Sequence, residues 1–411
     1  MDKTCISSVL YDYISALEIV DCHEHLIPEA DAVAAKADFS DLFGHYSKRD
    51  FGSAGMSDRE IEAFFDKATP LEEKWKLLCR FYPLVEDTSY IRSARIVMKK
   101  RYGIDALTEE NYRAVSEQVQ KNRYPGFYRD IFRDCGIKYV LNNIDNNDIP
   151  RGCFFYPSDD ILKTVTRTPT APEVKDFTAE GTFWSGIKAL SDIRERAVQF
   201  VENIRRIDGH AIKVMNTYPY LDQQAGDPAS ALKRMLIGRP EEHDGFLLFW
   251  YTLDQILSEA EKYDLPVSVH TGYWGDYREQ SPEKYIPLVM KHPRNRFDLF
   301  HLGYPYVKST LLLAKTMPNV CIDLCWTYVI SQHMAADAIR QIIDMIPLNK
   351  VMGFGGDYRV CEKIYGHREM MTRTMSCALA DKVDDGTISL ERAKVWAKAM
   401  LWDNPISFYN L

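Results

Sequence analysis

Five polar residues of this sequence have side chains that bind metal ions or move protons, and each lies at or after a short apolar run. They are His23, His25, His270, His301 and Asp357. Imidazole and carboxylate groups suit zinc, with manganese and iron(II) as alternatives. Each residue also has a plain structural interpretation, as a surface, capping or core histidine or as a turn aspartate. Their shared position after strand-like segments favours a common site.

His23 and His25 follow an apolar segment that begins at residue 17. Side chains two residues apart on a strand share a face, so the two histidines are expected to point together and Glu24 to point away. Two imidazoles on one face can bind the same metal ion, and a buried strand would hold them rigidly.

Eight segments have the apolar, β-branched composition of buried strands. They cover residues 17–25, 137–141, 153–156, 211–215, 265–270, 297–301, 320–324 and 351–357. Helical segments separate most of them, at about 187–206, 246–263, 282–292, 306–316 and 335–346. This alternation predicts an α/β fold, a (β/α)8 TIM-like barrel, in which the C-terminal strand ends meet at one face. Such a barrel would bring the five residues together.

Residues 29–130 contain several helix signals and no clear strand. Ser57-Asp58-Arg59-Glu60 has the pattern of a capping box, and residues 69–78 and 108–119 also favour helices. We therefore predict a single barrel domain over residues 1–411 with a helical insertion at 29–130. The insertion would cap the mouth of the site or form a dimer interface.

Charge and composition exclude several classes of function. The net charge is −8 and the basic residues are scattered, which argues against a nucleic-acid-binding surface. No apolar run reaches about 18 residues, and the first residues lack the pattern of an export signal. The nine cysteines include no C-x-x-C pair. We expect a cytoplasmic protein with reduced cysteines that binds a small-molecule substrate, binds no membrane and forms a homo-oligomer.

The order of these motifs resembles the amidohydrolase superfamily, in particular the amidohydrolase-related group (amidohydrolase family 2). The matching motifs are H-x-H, His270-Thr271-Gly272, His301-Leu302-Gly303-Tyr304-Pro305, Gly355-Gly356-Asp357 and a terminal segment with Asn404 and aromatic residues. The resemblance implies that His23, His25, His270 and Asp357 bind one divalent metal ion. It also implies that His301 lies near the metal or the substrate, and that Asp357 accepts a proton from metal-bound water.

Part of the chain is also similar to uronate isomerases. Residues 88–92 and 101–104 of the helical insertion and the motif Asp357-Tyr358-Arg359 carry this similarity. It implies that Arg359 binds a substrate carboxylate through paired hydrogen bonds. A surface arginine in a salt bridge is the alternative. The segment 301–305 is more similar to that of hydrolases and lyases.

Three further residues are expected to bind substrate. Trp326 and Tyr304 follow predicted strands, where an aromatic ring can stack on substrate or donate a hydrogen bond, although packing in the barrel wall is an alternative. Lys213 lies in the fourth predicted strand and could bind substrate as a cation. Some superfamily members carboxylate a lysine there to bridge two metal ions, but a site with one metal ion is the default expectation.

These observations predict a metal-dependent hydrolase that acts on a small ester, lactone or amide, with Asp357 and His301 as catalytic residues. A carboxylic acid is the expected substrate class, because of Arg359. The alternative is an aldose–ketose isomerase of sugar acids, similar to uronate isomerases. A decarboxylase and a non-catalytic binding barrel are weaker alternatives.

Overall fold

The structure is a computed structural model that describes residues 3–143, 158–215 and 226–411. Its eight strands form one sheet in sequence order. They are β1 (Ile19–Glu24), β2 (Ile137–Asn142), β3 (Leu162–Arg167), β4 (Ala211–Val214), β5 (Val267–Val269), β6 (Phe297–Leu299), β7 (Val320–Asp323) and β8 (Val351–Met352). Neighbouring strands from β2 to β8 pair in parallel.

Strand β1 closes this sheet into a barrel. Ile19 N donates to Gly136 O (2.8 Å), immediately before β2, and Cys22 N donates to Phe354 O (2.9 Å), just after β8. All residues of β1 are buried, as is typical of a parallel strand covered on both faces. The predicted α/β fold with a (β/α)8 TIM-like barrel is confirmed.

Helices follow or precede most strands. In the described residues the α-helices are α1 (Lys3–Ser15), α2 (Glu29–Ala34), α3 (Ser47–Ser53), α4 (Asp58–Phe65), α5 (Leu71–Val85), α6 (Ser89–Tyr102), α7 (Tyr112–Lys121), α8 (Phe127–Asp134), α9 (Leu190–Arg206), α10 (Pro228–Leu236), α11 (Asp244–Ala260), α12 (Ile286–Lys291), α13 (Val307–Thr316), α14 (Thr327–Ile330), α15 (Gln332–Met345), α16 (Ile364–Asp384), α17 (Leu390–Lys398) and α18 (Asn404–Tyr409). Among these helices, none is both long enough and apolar enough to cross a membrane.

The stretch between β1 and β2 is fully described and consists of helices α2 to α8 and their connections, with no strand. Helix α4 begins with the predicted capping box, in which Ser57 Oγ accepts from Glu60 N and the Glu60 carboxylate accepts from Ser57 N. The helical content predicted for residues 29–130 is therefore present. Its role as a cap or an interface stays a prediction.

The chain divides into two compact units. Unit 1 comprises Met1–Lys138, Trp326–Gln341 and Phe354–Lys398. In it the largely buried helix α16 packs against α1 and α6. Unit 2 comprises Tyr139–Cys325, Ile342–Gly353 and Ala399–Leu411. One of its apolar cores joins α9, β4 and α11.

Two predicted strands differ from the observed ones. The third prediction, residues 153–156, lies outside the described residues, and the structure instead has β3 at Leu162–Arg167. Only Leu162 and Val165 of that segment are apolar and it is only partly buried, so it lacks the composition of a buried strand. The eighth strand is limited to Val351–Met352, because the backbone beyond it turns through glycines towards Asp357.

Candidate metal centre

Three of the predicted ligands meet in unit 1. His23 lies in β1, His25 follows it, and Asp357 lies in the loop after β8. The Nε2 atoms of His23 and His25 are 3.4 Å and 3.2 Å from Oδ1 of Asp357. The imidazole centroids are 4.6 Å apart, and at most a tenth of each of the three side chains is exposed. Three donor atoms therefore converge in a nearly buried site.

The donor set fits a divalent metal ion. In a tetrahedral site with metal–ligand distances near 2.0–2.1 Å, neighbouring donor atoms lie about 3.3 Å apart. The two nitrogen–oxygen distances around Asp357 match this spacing. The negative charge of the carboxylate would also partly neutralise such an ion. Both nitrogen–oxygen distances are therefore compatible with His23, His25 and Asp357 as ligands of one metal ion.

A buried carboxyl pair lies beside these ligands. Asp21 and Glu24, both in β1 and fully buried, hydrogen-bond to one another. Burial raises the pKa of both groups, because the low-dielectric interior penalises two negative charges. The pair therefore holds a proton at neutral pH and carries less than two charges next to the ligands.

His45 and Tyr46 also belong to this site, and no sequence pattern had indicated them. The Tyr46 hydroxyl hydrogen-bonds to Asp357, and its ring stacks on Trp326 at 4.4 Å. His45 packs on the Tyr46 ring at 3.9 Å and has a left-handed backbone conformation (φ 65°). Burial lowers the pKa of His45 to about 3, so its imidazole is neutral. Tyr46 thus places a phenol hydroxyl directly on the ligand carboxylate.

Lys363 holds the backbone on either side of this His–Tyr pair. Its Nζ donates to Gly44 O (3.2 Å) and to Ser47 Oγ (3.4 Å). Burial lowers the pKa of Lys363 to about 7. The lysine therefore ties the start of α3 to the segment that precedes α16.

Trp326 and Arg359 lie in unit 1 as well. Trp326 is fully buried against Tyr46 and has a left-handed backbone (φ 64°). Arg359, two residues after Asp357, lines a cavity of about 360 Å³ together with Lys36 and Arg123. Trp326 is thus placed against Tyr46, and Arg359 at a cavity large enough for a small molecule. Whether either contacts substrate stays a prediction.

The other two histidines form a pair in unit 2. His301 Nδ1 lies 3.1 Å from the carbonyl oxygen of Cys325, and His301 Nε2 lies 3.1 Å from His270 Nδ1. A carbonyl only accepts, so His301 carries its proton on Nδ1 and its Nε2 accepts from His270 Nδ1. The neutral His270 tautomer then has its lone pair on Nε2, the form in which imidazole binds a metal ion.

Lys213 and Tyr304 are the remaining predicted residues in unit 2. Lys213 Nζ lies 3.7 Å above the Phe300 ring and lowers the pKa of Asp298 by its charge, although burial raises that pKa overall to about 7. Lys213 is therefore placed close to a buried carboxyl group, that of Asp298. Tyr304 is partly buried and follows the turn that contains His301.

Non-glycine residues with left-handed backbone conformations cluster at these positions. In unit 1 they include His45, Trp326 and Asp357 (φ 62°), and in unit 2 they include His301 and Leu302. Such conformations are unfavourable for residues with a Cβ and persist where surrounding contacts enforce them. Strained backbone at these positions is typical of functional sites.

The chain is similar in sequence to known proteins. A family model described as "Amidohydrolase" matches residues 222–411. A uronate isomerase from Thermotoga sp. (strain RQ2) is 18% identical over 460 aligned positions, which cover 97% of this chain and 96% of that protein. The resemblance to amidohydrolases, with partial similarity to uronate isomerases, is confirmed.

Two solved structures share the fold over nearly the whole chain. The uronate isomerase from Thermotoga maritima has a TM-score of 0.78 at 16% identity and covers 98% of this chain and 97% of its own. The glucuronate isomerase from Caulobacter crescentus has a TM-score of 0.80 at 16% identity, with 99% and 94% covered. The amidohydrolase family suggests a divalent metal ion, and the imidazoles of His23 and His25 with the Asp357 carboxylate are candidate ligands for it.

Proposed function

We propose that this chain, which resembles amidohydrolases in its motifs and its barrel, is a metal-dependent aldose–ketose isomerase of sugar acids. The proposal rests on how much of the chain is similar to a uronate isomerase. The similarity to a uronate isomerase spans 97% of the chain, including the helical stretch after β1, whereas the amidohydrolase model matches only residues 222–411. Isomerisation is therefore better supported than hydrolysis as the activity of the site.

The proposed metal ligands are His23, His25, His270 and Asp357, with His301 beside them. Zinc is the proposed ion, with manganese or iron(II) as alternatives, because the donors are imidazole nitrogens and a carboxylate. When bound, the metal would act as a Lewis acid that polarises the substrate carbonyl and its neighbouring hydroxyl. The tautomer of His270, with its lone pair on Nε2, supports its role as a ligand.

An aldose–ketose isomerisation moves one proton from C2 to C1 and one hydroxyl proton from O2 to O1. The C2–H bond breaks and a C1–H bond forms, with no net oxidation and no water consumed. The Asp357 carboxylate and the Tyr46 hydroxyl, already hydrogen-bonded, are the groups proposed to hold and pass the hydroxyl proton. The buried surroundings of Tyr46 exclude water, which would otherwise compete for that proton.

The proposed substrate is a small sugar acid with a free carboxylate. Arg359 is the proposed carboxylate-binding residue, because a planar guanidinium makes two parallel hydrogen bonds to such a group. Tyr304, Trp326 and Lys213 are proposed to contact substrate. We also propose that the enzyme is cytoplasmic. It is proposed to act as a homo-oligomer.

Hydrolysis remains a second candidate because the family model that matches the C-terminal half is that of amidohydrolases. In that reaction Asp357 would accept the proton of the attacking water. The two candidates differ in an observable way. Isomerisation forms a ketose, which carries deuterium on C1 in D2O when the proton taken from C2 exchanges with solvent, whereas hydrolysis forms no ketose and places no deuterium on carbon.

The decisive assay uses zinc-loaded protein with glucuronate and galacturonate, followed by NMR in D2O. We expect ketose formation with deuterium at C1. Tyr46→Phe should lower kcat about 10²–10⁴-fold, because it removes one proton-transfer group and keeps the ring stacking. Tyr11→Phe is the matched control, because Tyr11 also donates to a carboxylate, that of Glu369. Cleavage of lactones or amides without any ketose formation would contradict the proposal.

A further inference from the structure

We propose that Asp21 and Glu24 form a carboxyl clamp that positions Asp357 for metal binding. The inference rests on the metal site of the proposed function and extends it to two residues of β1 that are not ligands. They would act as positioning residues: they contact the loop that carries Asp357, and neither is proposed to touch metal or substrate.

The clamp acts on the two backbone amides that flank Asp357 in the loop after β8. Gly356 N donates to Asp21 Oδ1 at 3.1 Å, and Tyr358 N donates to Glu24 Oε2 at 2.6 Å. Between them, Asp357 N donates to the backbone carbonyl of His23 at 2.7 Å. Three amides in a row are thus bound by β1, two of them by side chains of the carboxyl pair.

Gly356 shows how closely the clamp approaches this loop. A Cβ at position 356 would overlap Oε1 of Glu24, so a residue other than glycine cannot fit without moving the carboxyl group. On the opposite side, the Gly356 carbonyl lies 3.3 Å from Nδ1 of His367, whose pKa burial lowers to about 3. Because a carbonyl oxygen only accepts, His367 donates from Nδ1, and the loop is held from two directions.

Asp357 needs this support because of its own conformation. Its φ of 62° is unfavourable for a residue with a Cβ, so the chain would relax if the neighbouring amides were released. Its Oδ1 must also stay within the 3.2–3.4 Å spacing to both imidazoles. Strand β1 therefore carries His23, leads directly into His25 and, through the carboxyl clamp, fixes the third proposed ligand.

The test measures zinc affinity by chelator competition and backbone exposure by hydrogen–deuterium exchange of residues 354–360. Glu24→Ala should weaken zinc binding about 10–100-fold, as is typical when a partner of a ligand is removed. Exchange in the loop should accelerate. Glu24→Gln should restore affinity to within about threefold, because an amide oxygen still accepts from Tyr358 N and the amide nitrogen can donate to Asp21.

Glu29→Ala is the matched control. Glu29 likewise accepts two backbone amides two residues apart, Gly126 N at 3.0 Å and Tyr128 N at 2.8 Å, but in a segment that carries no ligand. It should destabilise the protein and leave zinc affinity unchanged. If Glu24→Ala folds poorly, Gly356→Ala provides a second route, because its Cβ should displace the Glu24 carboxyl group and weaken zinc binding. In a Glu24→Ala background the same change should have a smaller effect.

Unchanged zinc affinity in both Glu24→Ala and Gly356→Ala would overturn the clamp, as would an equal loss in Glu29→Ala. If the wild-type protein binds no zinc, the proposed function fails by itself. Exchange in residues 354–360 then decides the clamp, since Glu24→Ala should accelerate it and Glu24→Gln should not. Equal exchange in wild type and Glu24→Ala would overturn it.

Discussion

Each of the two units contains a buried pair of carboxyl groups that hydrogen-bond to one another. Asp21 and Glu24 form the pair in unit 1, and Asp298 and Asp323 form the pair in unit 2. In both, burial raises the pKa of the first aspartate. The two pairs thus have similar chemistry but different neighbours.

The neighbours determine what each pair can do. The pair in unit 1 accepts amides on both sides of Asp357, a proposed ligand. The pair in unit 2 accepts the Tyr409 hydroxyl at 2.5 Å and the Cys325 amide at 2.6 Å. Cys325 in turn contacts His301 Nδ1 through its carbonyl oxygen and its Sγ, and the pair also anchors the helix α18 through Tyr409. Similar groups therefore serve ligand geometry in one unit and mainly packing in the other.

The largest difference between the two units is expected at the proposed metal ligands of unit 1. The double substitution His23→Ala, His25→Ala should abolish bound metal, because it removes two of the donor atoms that converge on Asp357. Elemental analysis of protein purified without chelators would measure this loss. His292→Gln is a matched control, because His292 is also buried and bonded to a carboxylate, Asp254, outside the site. Equal metal content in the double variant and the wild type would contradict the assignment.

A smaller effect is expected in the other unit. Tyr409→Phe removes the donor to Asp298 and should lower the free energy of unfolding by about 1–3 kcal/mol, because a buried acceptor loses its partner. Zinc affinity should change little, in contrast to Glu24→Ala. Denaturant unfolding and chelator competition measure the two quantities. Tyr277→Phe, at an exposed tyrosine, is the control. A large loss of zinc affinity would show that the second pair also sets ligand geometry.

The smallest expected effect concerns pH. The pKa of Asp298 is about 7 in the folded protein and near 3.8 when unfolded, so its contribution to stability is full below about pH 4 and is lost as pH rises through 7. Asp298→Asn carries no charge at any pH. Its Tm relative to wild type should therefore be higher at pH 8 than at pH 5, by about 2 °C or more. A constant Tm difference between these pH values would contradict the raised pKa.

The candidate site could be predicted from the sequence where its residues lie at the ends of strands. His23, His25 and Asp357 were predicted because polar residues after apolar runs meet at one face of a barrel, and the structure brings these three together. His45 and Tyr46 could not be predicted, because they lie in a helical stretch whose path across the barrel has no periodic signal. Their contacts with Asp357 and Trp326 arise only from tertiary packing.

Glu24 illustrates a second limit of sequence analysis. Strand alternation predicts only that its side chain points away from the two histidines. It does not reveal that the chain returns more than 330 residues later and places the Tyr358 amide on that carboxylate. Apolar composition similarly failed to indicate β3, where four lysine, threonine and arginine residues outnumber the two apolar residues of a barrel strand.

The reaction type was the least certain inference from sequence. Hydrolysis was predicted first because five polar residues follow predicted strands in the order of the amidohydrolase motifs. Isomerisation is better supported because the likeness to uronate isomerases includes that stretch as well as the barrel. A short motif describes only the residues at one strand end. A similarity over the whole chain also includes the segments around the site.

The close approach of Gly356 to the Glu24 carboxyl group also has an evolutionary consequence. Two positions separated by more than 330 residues share one small volume, so neither can change size alone. Natural relatives that carry a side chain at the position of Gly356 should carry a small residue at that of Glu24. Across related sequences, the residues at these two positions should therefore change together, as a coupled pair, and not independently.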